Sequence, residues 1–405
     1  MGASTDTGAN DANGATGTYA GTYRAGVIGH TGRGNYGHGL DLALVGLPRV
    51  ELVAVADADE EGRTRAVSRT GAPRGYASYL EMLERERLDV VVVGPRQPDQ
   101  RAAMLLSAVE AGVRAIYTEK PFARDLEEAD RILAACDARG VKVAVAHQNR
   151  AFPGPRLAQR LIADGKIGRL RALKAYGKQD RRGGGQDLMV LGTHMLDLMR
   201  FFAGDARWCH ARVANGGADA TPHAVRPAEE EAGLIAGDDI VASFGFDHGV
   251  TGSYESAQAD DGGKGNYFRL DLCGTGGIVT VWSSTTMPVY FYPRPFALPD
   301  RADEWQVMEP PTLPVPAGVG APPAGASAMH AGNQLIAADL LAALEENRKP
   351  LSSGHDARSA LEMIMAVYES HIAEDRVSLP LVERGHPLAR WAKLERGVEL
   401  AVGVR

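Results

Sequence analysis

The chain has 405 residues, with 51 acidic and 44 basic side chains and a formal net charge of −7. Apolar residues make up 44% of the chain and charged residues 23%, a composition typical of soluble globular proteins. The length exceeds what one hydrophobic core usually supports, so two domains are expected. The absence of a concentrated basic cluster argues against nucleic acid as the main partner, and no apolar run is long enough to predict a membrane span.

Cysteine usage and the amino-terminal composition both favour a cytoplasmic protein. Cys136, Cys209 and Cys273 are scattered and have no paired spacing, which indicates neither a disulfide framework nor a structural zinc site. Residues 1–22 are rich in Gly, Ala, Thr, Asn and Asp and lack the basic and apolar regions of a secretory signal. We expect them to form a flexible tail. No metal site is predicted.

Between Tyr23 and about residue 150, short apolar runs alternate with segments of helical periodicity. The apolar runs are YRAGVIG, VELVAVAD, LDVVVVGP, VRAIYTEKP and VKVAVAHQNR. The segments with 3.6-residue spacing include HGLDLALVGL, QRAAMLLSAVEAG and LEEADRILAACDARG. This alternation predicts βαβ units around a buried parallel sheet, so residues 23–150 are assigned to a doubly wound α/β Rossmann domain.

After residue 150, strand-like segments follow one another with few helices between them. They include RLRALKAYG, ARWCHARV, DDIVASFGFDHGVTGSYES, NYFRLDLCGTGGIVTVWSS and MPVYFYP. Residues 183–202, GGGQDLMVLGTHMLDLMRFF, are expected to form a helix, and the proline-rich segment 294–328 a long surface loop. Helices near 330–347 and 356–373 are expected to close the chain. Residues 151–405 are therefore predicted to form an α+β domain with a large antiparallel or mixed sheet.

The segment GHTGRGNYGHG directly follows the first apolar run. A dinucleotide fold needs a tight turn there, followed by backbone that can approach a pyrophosphate at a helix N-terminus. We expect the turn at Gly29. The residues expected around the phosphates are Thr31, Gly32, Arg33 and Gly34. Gly37 would lie within the helix and allow close packing.

Asp57 ends the second apolar run, 20 residues after Gly37. A carboxylate at this position can accept hydrogen bonds from the adenosine ribose hydroxyls. Ala58 follows it and no basic residue occurs before Arg63, so NAD is favoured over NADP as the cofactor. The alternative is that Asp57 caps the next helix.

The motifs TEKP at 118–121, GVIGHTGRG, VVVGP, AVAHQNR and GGG…LGTHMLD occur together. In this combination the sequence, from about residue 23 to its end, resembles the glucose-fructose oxidoreductase / inositol dehydrogenase / MocA family. The resemblance implies a Rossmann domain and a C-terminal domain with a large open mixed sheet, whose other face mediates homodimer or homotetramer contacts. It also implies hydride transfer between NAD(P) and a hydroxyl or carbonyl carbon of a sugar, cyclitol or similar polyol.

The resemblance also implies the reacting side chains. Lys120 would lie near the nicotinamide and the reacting oxygen. In the family the peptide bond between the residues matching Lys120 and Pro121 is often cis. An ammonium there stabilises a developing alkoxide, and the imidazole of His194 can take or return the hydroxyl proton. The alternatives are a solvated surface lysine for Lys120 and an ordinary core histidine for His194.

The segment around His194 departs from the family pattern. Related sequences commonly have Asp four residues before the histidine, where this chain has Val190. The nearest upstream carboxylate is Asp187, whose backbone in a regular helix would lie about 10 Å from that of His194. We predict that Asp187 assists the reaction. Asp197 would either orient the His194 ring or belong to a structural network, and the histidine that the family often has near Asp99 is missing.

Further contacts are expected at the ends of the predicted strands and before the triple glycine. The cofactor-binding residues expected are Gly29, Thr31, Gly32, Arg33, Gly34, Asp57, Pro95, Arg96, Glu119, Lys120 and Asn149. The substrate-binding residues expected are Lys178, Arg181, Gln148 and His194, with Arg182 as a further candidate. For the three cations, a solvated surface role is the alternative.

Three functions are compatible with these features. The leading hypothesis is an NAD-dependent oxidoreductase of a sugar or cyclitol, in which Lys120 stabilises the oxygen charge, His194 shuttles the proton and Asp187 assists. A second is a net non-redox reaction, such as epimerisation, elimination or glycoside cleavage, with tightly bound NAD. A third is a non-catalytic NAD-binding sensor, which the valine at position 190 favours.

Overall fold

The computed structural model describes residues 21–396, except 285, 287, 314, 317, 323–325, 327 and 328. The tail predicted for residues 1–22 lies outside the described residues apart from its last two positions. Within the described ranges, no helix combines the length and apolarity needed to cross a membrane.

A six-stranded parallel sheet forms the first half of the molecule, with strand order β3-β2-β1-β4-β5-β6. The strands are β1 (Tyr23–Ile28), β2 (Val50–Ala56), β3 (Arg74–Tyr76), β4 (Val90–Val93), β5 (Ala115–Thr118) and β6 (Lys142–Val145). The helices are α1 (Glu60–Thr70), α2 (Tyr79–Glu86), α3 (Arg101–Glu110) and α4 (Leu126–Ala138). Every residue of β4 and β5 is buried, because helices cover both faces of the sheet. The predicted doubly wound Rossmann fold is confirmed.

The helix predicted directly after the glycine-rich turn is not formed. Only Leu40–Leu42 make a single turn of 3₁₀ helix, and the neighbouring residues form irregular turns. Backbone φ is positive, which an α-helix does not tolerate, at Gly32, Gly34, Gly37, Gly39 and Gly46. Gly37 therefore precedes the helical turn instead of lying inside a helix. Its expected close packing is real, because a Cβ there would overlap the Glu119 carboxylate and lie 2.7 Å from the Gly94 carbonyl oxygen.

The second half is built on a ten-stranded mixed sheet. Its order is β17-β16-β15-β14-β7-β13-β12-β8-β18, with β9 paired to β8. The strands are β7 (Leu170–Tyr176), β8 (Trp208–Asn215), β9 (Ala218–Asp219), β12 (Asp239–Gly245), β13 (Thr251–Ala257), β14 (Arg269–Gly274), β15 (Ile278–Trp282), β16 (Val289–Tyr292), β17 (Gln306–Met308) and β18 (Val377–Ser378); β10 (Arg226–Pro227) and β11 (Leu234–Ile235) pair separately. The helices are α5 (Pro153–Ala163), α6 (Gly185–Asp187), α7 (Thr193–Ala203), α8 (His330–Glu345), α9 (Gly354–Ala373) and α10 (Pro387–Arg396). The predicted α+β fold with a large open sheet is confirmed.

Three local predictions need correction. The helix predicted over residues 183–202 is interrupted by a π turn at Leu188–Gly192, between α6 and α7. Segment 294–328 is not wholly a loop, since it contains the 3₁₀ turn Pro299–Glu304 and strand β17. Helices α8 and α9 do not close the chain, because β18 and α10 follow them.

Helix α8 returns from the C-terminal half and packs on the Rossmann sheet. Its residues Ile336, Ala337 and Leu340 belong to the same buried cluster as Val27 of β1 and Val90 of β4. The helix also contacts the 3₁₀ turn that stands where the first Rossmann helix was expected. The two halves of the chain therefore share a hydrophobic core.

A buried arginine at the start of α3 ties together two loops that follow parallel strands. Arg101 is 1% exposed and donates hydrogen bonds to the carbonyl oxygens of Pro95 (2.6 Å), Arg96 (3.1 Å) and Pro121. The first two acceptors follow β4 and the third follows β5. Burial lowers the pKa of Arg101 to about 10, so the guanidinium remains charged at neutral pH.

We expect Arg101→Met to lower the free energy of unfolding by about 2–5 kcal/mol, because two buried carbonyl groups and a partly buried one lose a charged donor. Urea unfolding followed by circular dichroism measures the change. The control is Arg65→Met, which removes an exposed pair with Glu61 and should cost less than about 1 kcal/mol. Equal losses in the two variants would contradict a special role for Arg101.

Candidate active site

The loops that follow four parallel strands meet at one edge of the Rossmann sheet. Parallel strands present their carboxyl ends together, and ligands bind doubly wound sheets there. Gly29 follows β1, Asp57 follows β2, Arg96 follows β4 and Lys120 follows β5. A helix of the second half, α7, contacts the 3₁₀ turn after β6 and adds side chains to this edge.

The glycine-rich loop folds as a small hairpin that touches the loop after β4. His30 and Asn35 exchange main-chain hydrogen bonds of 3.0 Å each. A Cβ on Gly34 would overlap the main-chain nitrogen of Arg96 and lie 2.9 Å from that of Gln97. Gly32, with φ +85°, has no atom within 4 Å of its Cβ position, so its backbone is open to a ligand.

Asp57 holds this loop to the end of β2. The side chain is 2% exposed and accepts hydrogen bonds from Thr31 N (3.1 Å), Thr31 Oγ1 (2.7 Å) and Asp59 N (3.1 Å). The cap of α1 is Asp59, whose carboxylate accepts from Gly62 N at 2.6 Å, so the capping alternative for Asp57 is wrong. Contact of Asp57 with a ribose stays a prediction.

Polar atoms at this edge fit a dinucleotide. The Nε of Arg33 and the Nδ2 of Asn149 are buried donors without a hydrogen-bond partner in the described part of the chain. Another atom of each side chain is already bonded. Arg33 Nη2 lies 2.6 Å from the Asp99 carboxylate, and Asn149 Oδ1 accepts a hydrogen bond from Ser283 Oγ at 3.0 Å. Together with the open backbone at Gly32, these donors suit phosphate and carboxamide oxygens.

The buried carboxylate of Glu119 links the glycine-rich segment to the loop after β5. Its carboxylate is fully buried and accepts from His38 N (2.9 Å), from the His38 ring at Nδ1 (2.8 Å) and from Lys120 N (3.0 Å). Burial raises the pKa of Glu119, but His38 and the Lys120 charge outweigh it and bring the pKa to about 2. The carboxylate is therefore ionised and held by protein groups, and its predicted cofactor contact stays a prediction.

Lys120 is anchored to the second half of the molecule. Its Nζ donates to the carbonyl oxygen of Val190 at 2.9 Å, and the residue is only 5% exposed, so the surface-lysine alternative is wrong. The Lys120–Pro121 bond is cis, as the resemblance implies. Burial lowers the pKa of Lys120, while the charges of Glu119 and Glu230 raise it. The π turn breaks the i+4 hydrogen-bond pattern, and Val190, where a carboxylate was expected, offers its carbonyl instead.

His194 is the second residue of α7, and the charge of Lys120 acts on its ring. The residue is 9% exposed, and its Nδ1 has no hydrogen-bond partner in the described part of the chain. Burial and the positive charge of Lys120 hold the pKa of His194 well below the usual range, with smaller contributions from His147 and His38. At neutral pH the imidazole is therefore uncharged.

The structure does not bring Asp187 to His194. Asp187 is fully buried, and its Oδ2 accepts from Ser256 Oγ at 2.7 Å and from Lys178 N at 2.9 Å. The intervening π turn changes the helical phase, so two turns no longer align the two side chains. Burial raises the pKa of Asp187 to about 6. These contacts do not support the assisting role predicted from sequence.

Asp197 belongs to a structural network. Both of its oxygens accept from Arg150, each at 2.7 Å, and Arg150 also lies 3.6 Å from Asp356. These contacts agree with the structural alternative for Asp197 and not with a direct contact to the His194 ring.

The predicted substrate contacts are already paired with protein groups. Lys178 lies 3.6 Å from Asp180 and Arg181 lies 3.1 Å from Glu229, with 48% and 71% of their side chains exposed. Arg182 binds Asp180 at 2.6 Å. Gln148 donates to Asn333 of α8 at 2.7 Å and is buried, because α8 returns over this edge. Their substrate contacts stay predictions.

Sequence reasoning missed His147 as a site residue. It is 1% exposed and packs against His194, with ring centroids 5.4 Å apart. The available signal was its position in AVAHQNR, directly after a buried parallel strand, where the fold places its functional side chains.

A Rossmann domain with a dinucleotide cradle, joined to an open-sheet domain that supplies a buried histidine, defines a two-domain NAD-binding oxidoreductase. Residues 23–147 match the model of an oxidoreductase family with an NAD-binding Rossmann fold. Residues 160–379 match the C-terminal alpha/beta domain of the same family. The chain belongs to the glucose-fructose oxidoreductase / inositol dehydrogenase / MocA family.

Two curated relatives are sugar dehydrogenases by name. D-apiose dehydrogenase of Paraburkholderia graminis is 34% identical over 165 residues, which cover 38% of this chain and 44% of the relative. Levoglucosan dehydrogenase of Pseudarthrobacter phenanthrenivorans is 27% identical over 251 residues, covering 56% and 63%. The matched segments thus span less than two thirds of either relative.

Solved structures share the fold over most of the chain. An oxidoreductase domain protein from Kribbella flavida has a TM-score of 0.69 at 23% identity, covering 89% of this chain and 100% of that chain. Levoglucosan dehydrogenase in complex with NADH and levoglucosan has a TM-score of 0.69 at 21% identity, covering 89% and 99%.

We expect Gly34→Ala to weaken NADH binding at least about tenfold and to destabilise the fold by about 1–3 kcal/mol. The new Cβ meets main-chain atoms of the β4 loop, and φ at Gly34 is +87°. Fluorescence titration with NADH and thermal unfolding measure the two effects. Gly46→Ala is the control, since Gly46 has φ +77° but open space around it; unchanged NADH affinity in Gly34→Ala would refute the contact.

Asp187 should make stability depend on pH. Because its pKa is about 6 in the folded protein, the folded state retains a proton that the unfolded chain loses above about pH 4. The contribution of Asp187 to the free energy of unfolding should therefore fall as pH rises from about 4 to about 6 and stay level above that. Asp187→Asn should remove this dependence. The difference in the free energy of unfolding between the variant and wild type should therefore shift in favour of the variant by up to about 3 kcal/mol between pH 4 and pH 7.5.

Urea unfolding at several pH values tests the dependence, with Asp239→Asn on the exposed face of β12 as the control. Because Asp187 has no contact with His194, kcat of Asp187→Asn should stay within about threefold of wild type. A collapse of kcat in a folded variant would restore Asp187 to the chemistry.

Proposed function

We propose that the protein is an NAD-dependent dehydrogenase that transfers hydride between the nicotinamide and a secondary hydroxyl or carbonyl carbon of a sugar, cyclitol or related polyol. The observation that carries the proposal is the meeting of Lys120 and His194, from different halves of the chain, within electrostatic reach of each other beside the dinucleotide cradle. Bound NAD would supply the hydride acceptor. The protein must then handle the hydroxyl proton and the charge on oxygen.

Lys120 suits the stabilisation of oxygen charge. One of its three ammonium protons is engaged by the Val190 carbonyl, which leaves two for a substrate oxygen. The ionised carboxylate of Glu119 lies behind it and opposes loss of its charge on burial. A fixed ammonium in a buried site stabilises a developing alkoxide more strongly than it would in water.

His194 suits the transfer of the proton. It is neutral at physiological pH, so it can accept the hydroxyl proton when the alcohol is oxidised and return it in the reverse direction. The neighbouring Lys120 charge makes the protonated imidazole costly, which favours onward release of the proton.

The substrate class is supported by the relatives. D-apiose dehydrogenase and levoglucosan dehydrogenase both act, by name, on sugars or anhydrosugars. The sensor alternative drew on the missing carboxylate at Val190, but the Val190 carbonyl anchors Lys120 without it.

We further propose that the protein works in the cytoplasm as a homodimer or homotetramer formed through the open face of the ten-stranded sheet. Cys136, Cys209 and Cys273 are free and buried, which suits a reducing compartment. The open face carries an exposed apolar residue, Val241, on β12.

Lys120→Met should lower kcat/KM by about 100- to 1,000-fold while NADH affinity changes less than about threefold, because methionine keeps the buried stem but removes the charge. NADH formation at 340 nm across a panel of neutral sugars and cyclitols measures the rate. The control is Lys142→Met on β6, whose exposed ammonium contacts Asn347.

The proposal would fail if wild-type protein, shown to bind NADH, neither oxidised nor formed any polyol of the panel, as judged by the absorbance at 340 nm. Turnover without added NAD, with cofactor retained through purification, would instead favour the non-redox alternative.

A further inference from the structure

A second buried imidazole lies behind His194. His147 follows β6 by two residues and is 1% exposed. Its ring stands nearly perpendicular to that of His194, at 78° and with a centroid separation of 5.4 Å. No step of the proposed reaction uses this residue.

The ring of His147 is hydrogen-bonded at Nε2, whereas its buried Nδ1 has no hydrogen-bond partner among the described residues and only faces a nearby carboxylate. Its Nε2 lies 3.0 Å from Thr193 Oγ1, and its Nδ1 lies 3.8 Å from Asp197 Oδ1. Burial lowers the pKa of His147, so the ring is neutral and carries a single proton. The carboxylate favours that proton on Nδ1, which leaves Nε2 to accept a hydrogen bond from the threonine hydroxyl.

Asp197 is itself fixed by charge. Arg150 donates two bonds of 2.7 Å to it, and the Nη2 of Arg150 also lies 3.6 Å from Asp356. Burial raises the pKa of Asp197, but Arg150 and His147 outweigh it, so the carboxylate stays ionised. Substrate-independent contacts thus determine the orientation of His147.

His194 has few other supports for its ring. Its Nδ1 has no hydrogen-bond partner among the described residues, and its recorded ring contacts there are with His147 and with Phe268, at 6.4 Å. Thr193 directly precedes it, so the hydroxyl bond to His147 also fixes the first residue of α7.

We propose that His147 is the positioning residue of His194. It orients the His194 imidazole through the edge-to-face ring contact and through the Thr193 hydroxyl, so that one ring nitrogen of His194 faces the substrate. The inference rests on the proposed function only for its kinetic readout.

The kinetic test compares two substitutions of His147 that differ in one contact. Glutamine keeps an acceptor oxygen near the former Nε2 and can bind Thr193, whereas leucine cannot. We expect His147→Leu to lower kcat about 10- to 100-fold with KM changed less than about threefold, and His147→Gln to stay within about fivefold of wild type.

Thr193 provides an independent arm that leaves His147 in place. Thr193→Val should reproduce part of the kcat loss, and Thr193→Ser should restore it, since serine keeps the hydroxyl. The matched control is His355→Leu, which removes a half-exposed imidazole that pairs with Asp137 on the surface. If the leucine and glutamine variants of His147 were equally active, the positioning role would be wrong.

Histidine ¹⁵N NMR tests the inference without any turnover, with the His194 signal assigned from a His194→Asn variant. We expect one dominant His194 tautomer in wild type and in His147→Gln, and a mixture of tautomers in His147→Leu and Thr193→Val. Identical His194 spectra in all of these proteins would overturn the inference. If the tautomer changed in these variants but the wild-type protein oxidised none of the polyols, the positioning role of His147 would be upheld and the proposed function refuted.

Discussion

The hydrogen bond from Lys120 Nζ to the Val190 carbonyl joins the two halves of the site. Lys120 extends from the Rossmann sheet, whereas Val190 belongs to a helix of the second half. Val190 lies within the π turn, where the backbone departs from the regular helix pattern. A neutral carbonyl thus anchors the ammonium at the residue where the family resemblance led us to expect a carboxylate.

Buried charges organise the rest of the site around this bond. Glu119 holds the His38 segment and the Lys120 backbone, and Arg101 ties the loops after β4 and β5. On the other side, Asp197 and Arg150 form a closed pair next to His147. These buried charges are hydrogen-bonded, as their desolvation requires, and their contacts hold loops at the carboxyl edge of the sheet.

Much of the fold was readable from local pattern. Continuous Val and Ala runs predict buried parallel strands because both faces of such strands are covered, and β4 and β5 follow that rule. The failures occur where local backbone conformation or tertiary contacts override helical periodicity. HGLDLALVGL has helical spacing, yet positive-φ glycines break it, and α8 packs where the missing helix would lie.

By itself, the sequence determined the Rossmann and open-sheet fold, the family, and Lys120 and His194 as candidates, because these depend on periodicity and on motifs contiguous in the chain. Only the tertiary structure decided their partners. A π turn cannot be read from composition, so the sequence suggested Asp187 as a helper, whereas its contacts are Ser256 and the Lys178 backbone. His147 lies 47 residues before His194, and only folding brings the two rings together.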